Sequence, residues 1–223
     1  MSRDEARQPA THGGASIAET IVVLHEPAGR LTERLRALAT RLTLGAEGRT
    51  ARTLAVVSPE AGDGRSFLAA NLATLFALSG RGTLLIDADF RTPCQHRLFG
   101  TDPAPGLSEF LRQETDRDVI HPVANIPGLH LLPAGRDPAA GIGCLTGQHA
   151  AGLFARLFET CDQVVIDTPP ALAYSDAQAV CAHADAALLL ARRGRTRLAD
   201  LRRIADDLRA MDTRALGAVI NDL

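Results

Sequence analysis

Apolar positions along the chain follow two different periods. Leu31, Leu35, Leu38 and Leu42 recur at three- and four-residue intervals, which predicts an amphipathic helix from about Ala28 to Leu44. Ahead of it, TIVVL at Thr20–Leu24 is short and β-branched and predicts a strand. Beyond a polar link at Glu47–Thr50, continuous apolar runs take over. They are Thr53–Ser58 (TLAVVS), Thr83–Asp87 (TLLID), Leu129–Pro133, Gln163–Asp167 (QVVID), Ala186–Ala191 (AALLLA) and Ala215–Asn221 (ALGAVIN). Helical stretches lie between them: Ser66–Ser79, stopped by Gly80 and Gly82; Ala150–Thr160; and a third that Thr196 caps and that runs to about Met211.

Strands without a polar face, separated by helices, predict an α/β fold with a mainly parallel central sheet flanked by helices on both faces. The irregular segments Glu114–Asn125 and Asp137–His149 read as loops near the ligand end of that sheet. Residues Met1 to about Ile17 are too polar to bury and read as a disordered arm. The expected organisation is therefore an arm over residues 1–18, a strand and helix extension over 19–50, and one α/β domain over 51–223.

Composition narrows the picture. Apolar residues are 46% of the 223, enough for a substantial core, and with no Trp, one Tyr and seven Phe that core must be aliphatic. A net charge of −2 gives no general attraction to nucleic acid or an acidic membrane, and no nucleic acid partner is expected. The arginines Arg192, Arg193, Arg195, Arg197, Arg202 and Arg203 read as a solvated helix face. Cys94, Cys144, Cys161 and Cys181 lack zinc-site spacing. There is no apolar leader and no run of membrane-spanning length, so a reducing cytoplasm is the expected compartment.

Ligands of such sheets bind at the carboxyl ends of the strands. The loop after the first long apolar strand reads Pro59, Glu60, Ala61, Gly62, Asp63, Gly64, Arg65, Ser66. Against the phosphate-loop pattern G-x-x-x-x-G-K-[ST], Gly64 and Ser66 match, while Pro59 replaces the first Gly and Arg65 the Lys. The physics outlasts the pattern. Gly62 and Gly64 let successive N–H groups face an anion, and the following helix adds its positive end. Arg65 keeps a positive charge, Ser66 offers a hydroxyl to Mg²⁺, and Ala61 to Phe67 would line the phosphates.

Read alone, this loop is an ordinary glycine-rich turn. Asp87 and Asp89 after the second strand, and Asp167 at the end of Gln163–Asp167, change that reading. A single strand-end Asp is commonly a turn former. Two acidic strand ends following a phosphate loop supply the oxygen ligands that Mg²⁺ takes, and a base for an incoming hydroxyl. The expectation is a Mg-ATP site with Ser66, Asp87 and Asp167 at the metal and Arg65, Asp87, Asp89 and Asp167 as the reactive set.

VVSPEAGDGRSFLAANLA, LLIDADFRTPCQHRLFG, GLSEFL, LPAG and VVIDTPPALAYSDA, in this order, resemble the bacterial tyrosine kinases of capsule and exopolysaccharide biosynthesis from about Ala28 onwards. The resemblance implies ATP- and Mg-dependent phosphorylation of tyrosine. It implies Asp87 and Asp89 as the second acidic motif, Asp167 as the Walker B carboxylate and Asn221 on the adenine side. It also implies an inner-membrane polysaccharide co-polymerase as activating partner, and a cytoplasmic location beside it. The family's C-terminal tyrosine cluster is missing, and the sole tyrosine is Tyr174. The E-x-x-R-x-x-R oligomerisation helix reads Glu33, Arg36, Ala39, which argues against assembly of a homo-oligomer through it. Two other readings compete: a non-catalytic ATP-sensing adaptor, favoured by Arg65, and a partition- or division-type ATPase, whose signature Lys slot is Glu60 here.

Overall fold

The computed structural model describes residues 16–45, 50–113, 118–159 and 161–222. Most of the expected arm, residues 46–49 at the link, the first four residues of Glu114–Asn125, Thr160 and Leu223 lie outside the described residues. In chain order the elements are α1 Val22–His25, α2 Arg30–Leu44, β1 Thr53–Val57, α3 Arg65–Leu78, β2 Thr83–Asp87, α4 Gln95–Phe99, α5 Leu107–Arg112, β3 His121–Pro122, β4 Leu129–Leu132, α6 Pro138–Gly141, α7 Gln148–Phe158, β5 Gln163–Asp167, α8 Asp176–Cys181, β6 Ala186–Arg192, α9 Leu198–Ala210 and β7 Arg214–Asn221.

The strands form one seven-stranded sheet in the order β3-β4-β2-β5-β1-β6-β7. Every neighbouring pair is parallel except β3 and β4. Alternation along each strand sends side chains to two cores. Leu54, Val56, Leu85 and Val165 pack with α1, α2 and α3 on one face. Ala55, Val57, Ile86 and Ile166 pack with α7 and α9 on the other. Both faces of β1, β2 and β5 are therefore buried at every residue, as their unbroken apolar runs predict.

Four local expectations give way. Thr20–Leu24 is not a strand: it contributes the one-turn helix α1, because tertiary bonds claim its backbone. The Val23 N–H donates to Asn71 Oδ1 (3.3 Å), and Thr32 Oγ1 donates to the Val22 and Glu26 carbonyls. Thr196 does not cap α9; its Oγ1 accepts the Arg192 N–H (2.9 Å) and closes a turn, while Arg197 stands at the cap without a side-chain bond. Asp137–His149 follows the carboxyl end of β4 but is partly helical, with Gly141 set against the Phe90 ring. Glu114–Asn125 contributes the short edge strand β3, which runs antiparallel and so leads away from the ligand end.

Candidate functional site

The site is built where β1, β2 and β5 end side by side. Asp87 and Asp167 are direct partners in the β2–β5 register, so sheet geometry alone brings their carboxylates together. Both are fully buried. Asp87 Oδ2 accepts the Cys94 and Gln95 N–H groups at 2.9 Å, and Asp167 Oδ2 accepts Gln95 Nε2 at 2.8 Å. Their other oxygens, Asp87 Oδ1 and Asp167 Oδ1, are buried without a hydrogen-bond partner. Burial and the charge of Asp167 hold the Asp87 carboxyl well above the usual carboxylate range. Burial likewise raises Asp167, against bonds from Gln95 and Ser66 that lower it.

The phosphate loop crosses above this floor. Gly62 (φ 77°) and Gly64 (φ 102°) adopt left-handed backbone, which glycine does at little cost. Gly64 is the N-cap of α3, so the first N–H groups of that helix lack intrahelical acceptors and point toward the loop. Asp63 is buried, and its Oδ2 ties the loop across itself by accepting the Glu60 N–H at 2.9 Å. Asn221, at the end of β7, donates through Nδ2 to the Asp63 carbonyl (2.9 Å) and so braces the loop from outside. Ala61 lies at the exposed crest, and Phe67 is half-buried against the core below α1. The Ser66 hydroxyl lies beside Asp167 and Cys94 and lowers the pKa of each.

Arg65 turns inward. Its side chain is buried, with Nε donating to the Thr168 carbonyl (2.8 Å) and Nη1 to the Glu60 carbonyl (2.6 Å) and to Ser58 Oγ. Burial lowers its pKa, opposed by the carboxylates of Asp167, Asp89 and Asp63. The guanidinium therefore serves as counter-ion to the acidic floor and as a strut beneath the loop. Asp89 spends both oxygens on an Asx turn: Oδ1 accepts the Arg91 and Thr92 N–H groups and Oδ2 the Thr92 hydroxyl. Arg91 in turn pairs with Asp176 (2.9 Å) and lies 4.4 Å over the ring of Tyr174.

Some participants escape sequence reasoning. Gln95 is fully buried, bonds Asp167 Oδ2 and the Ser66 carbonyl, and through its own N–H holds Asp87. No local pattern marks a lone glutamine in a short helix. Arg192 and Arg195 are not on a solvated helix face. They end β6 and occupy the turn after it, where Arg192 Nη1 donates to the Gly62 carbonyl (3.0 Å) and Arg195 Nε pairs with Glu60 (3.0 Å). The signal for them was available: β6 ends at the same sheet edge as the loop.

The donor set suits Mg²⁺. Two unpartnered buried carboxylate oxygens and a hydroxyl are hard oxygen ligands. Among the described residues no group of three or more His, Cys, Asp or Glu stands together as a complete cage, and Mg²⁺ characteristically completes its shell with phosphate and water.

Sheet, loop and acidic floor together define a P-loop nucleotide-binding protein. No protein-family model matches the chain. Over 191 residues it is 29% identical to the tyrosine-protein kinase ptk of Acinetobacter johnsonii, covering 86% of the chain and 26% of that protein. Over 208 residues it is 29% identical to tyrosine-protein kinase YwqD of Bacillus subtilis, covering 93% of the chain and 88% of that protein. The solved BceF tyrosine kinase domain superposes with a TM-score of 0.79 at 31% identity, covering 90% of the chain and 81% of that domain. The chain thus belongs to the bacterial tyrosine-protein kinases. It spans about a quarter of the length of the longer relatives and most of the length of the shorter ones. The septum site-determining protein MinD of Pyrococcus horikoshii shares the fold alone, with 22% identity and a TM-score of 0.67 over 76% of the chain, so the division-type reading loses ground.

Proposed function

We propose that the chain binds Mg-ATP and transfers the γ-phosphate to tyrosine, as a regulator of exopolysaccharide or capsule chain length and export. The observation that carries this reading is the registered pair Asp87 and Asp167, each with a buried unpartnered oxygen beneath a phosphate loop. Ser66, Asp87 and Asp167 would hold the metal, which supplies charge neutralisation at the transferring phosphoryl group. The left-handed loop and the first turn of α3 orient the phosphates. Asp87, held up by burial and by the charge of Asp167, would give up its proton on taking up the metal. Asp89 keeps the preceding strand end in place through its turn.

The partner in this reading is an inner-membrane polysaccharide co-polymerase that holds the chain at the cytoplasmic face. Among the described residues no helix is long and apolar enough to cross a membrane. Assembly into a ring through α2 is disfavoured, because Glu33 and Arg36 pair with one another (2.5 Å) and Ala39 is buried in the core. A second reading, an ATP-binding adaptor without phosphoryl transfer, draws on one observation: Arg65 donates through Nε and Nη1 to oxygens of the protein.

Labelled Mg-ATP, added with and without the partner's cytoplasmic segment, separates them. Turnover and phosphotyrosine that disappear in Asp87→Ala and Asp167→Ala support the kinase. Binding without turnover, even with the partner present, leaves the adaptor.

A further inference from the structure

We infer that the turn following β6 forms a second basic wall of the nucleotide site, in which Arg195 contacts the phosphates of the bound nucleotide and Arg192 fixes the loop rim beside it. This rests on the Mg-ATP reading above. The cation within the loop, Arg65, is buried under it and bonded to three protein oxygens. Two other guanidiniums reach the rim from outside. A Cβ added to Gly62 would lie 3.5 Å from Arg195 Nη1 and 3.9 Å from Arg192 Nη1, so both stand against the backbone that curls around the anion.

The turn that presents them is rigid. The Arg192 N–H donates to Thr196 Oγ1, the Arg195 and Thr196 N–H groups donate back to the Arg192 carbonyl, and the Arg193 N–H donates to the Asn221 carbonyl. Arg192 is committed to the Gly62 carbonyl and acts as a positioning residue. Arg195 has a different kind of partner. Its ion pair with Glu60 is half-exposed at both ends, and such a pair is worth at most about 1 kcal/mol. A polyphosphate, with more charge and more acceptor oxygens, outcompetes one carboxylate for a guanidinium. Glu60 is then a placeholder that keeps Arg195 poised at the rim and yields it to the nucleotide.

Titration calorimetry with Mg-ATP on the full chain tests this. Arg195→Ala is expected to weaken binding about tenfold, the loss of one charge-assisted hydrogen bond, and Arg195→Lys to recover part of it. Glu60→Gln frees Arg195 and is expected to tighten binding about two- to threefold, since only a weak exposed pair is removed. A purely structural Glu60–Arg195 pair predicts the opposite sign for that variant. Equal affinity in Arg195→Ala, or weaker binding in Glu60→Gln, overturns the assignment while a binding wild type keeps the nucleotide reading. A wild type that takes up no Mg-ATP overturns both. Unchanged thermal melting of the apo variants confirms that each affinity is read on folded protein.

Discussion

The acidic floor and the loop above it are held by different means. Asp87 and Asp167 are placed by strand register, on strands buried at every residue, and moving either carboxylate requires moving the sheet. The loop is placed by side chains: Asp63 and Arg65 from within, Asn221, Arg192 and Arg195 from other elements. A loop braced in this way absorbs a replaced residue by exchanging partners. That accounts for a loop that departs from the phosphate-binding pattern at Pro59 and Arg65 yet keeps left-handed glycines and a helix start beneath it.

The contrast is most strongly tested by chemistry. Asp167→Ala should reduce ATP turnover at least about 100-fold, the scale expected when the charge-stabilising apparatus of phosphoryl transfer is lost. Phosphate release under saturating Mg-ATP measures it, and a variant that keeps a tenth of wild-type turnover would remove the floor from the mechanism. Next comes Gly64→Ala. It forces a Cβ onto φ 102° and to within 2.6 Å of Asn221 Nδ2, at a cost of about 1–3 kcal/mol. Nucleotide binding and melting temperature should both fall.

The floor also makes a pH prediction. Asp87 and Asp167 have raised pKa values in the folded protein, so the folded state holds protons that the unfolded chain releases. Their contribution to apo stability is fully present below pH 4, around the ordinary Asp value. It is lost as pH rises through the folded value, which for Asp167 is about 6. Asp167→Asn should therefore flatten chemical-denaturation stability across that window and stabilise the apo protein at pH 8 by on the order of 2 kcal/mol. A steeper profile in the variant would show that another group dominates. The smallest effect belongs to Asn221→Ala. Loss of its bond to the Asp63 carbonyl should cost about 1 kcal/mol and weaken Mg-ATP binding several-fold, with turnover of the saturated enzyme little changed.

How much of this was legible depends on what fixes each part. Thr83–Asp87 and Gln163–Asp167 were readable to the residue, because a strand buried on both faces is written as an unbroken apolar run and the Asp marks its end. Gly62 and Gly64 were readable because left-handed backbone demands glycine there. Thr20–Leu24 was misread, since its bonds to Asn71 and Thr32 are tertiary and override a β-branched preference. Side-chain direction was the other blind spot. The sequence places a cation at 65 without telling that it points at the Thr168 carbonyl, and it gives no sign that Gln95 joins both carboxylates.

The sheet order has a consequence for how the protein is made. β1 feeds the phosphate loop, yet its two neighbours in the sheet, β5 at Gln163–Asp167 and β6 at Ala186–Arg192, are translated much later, and the brace at Asn221 later still. A nascent chain therefore carries its phosphate loop on an unpaired strand until synthesis has passed β5, and without its outer brace until it has passed β7. Long-range parallel pairing of this kind is slow, so nucleotide capture becomes a late event of biogenesis, and occupancy of the site reports that the whole sheet has closed.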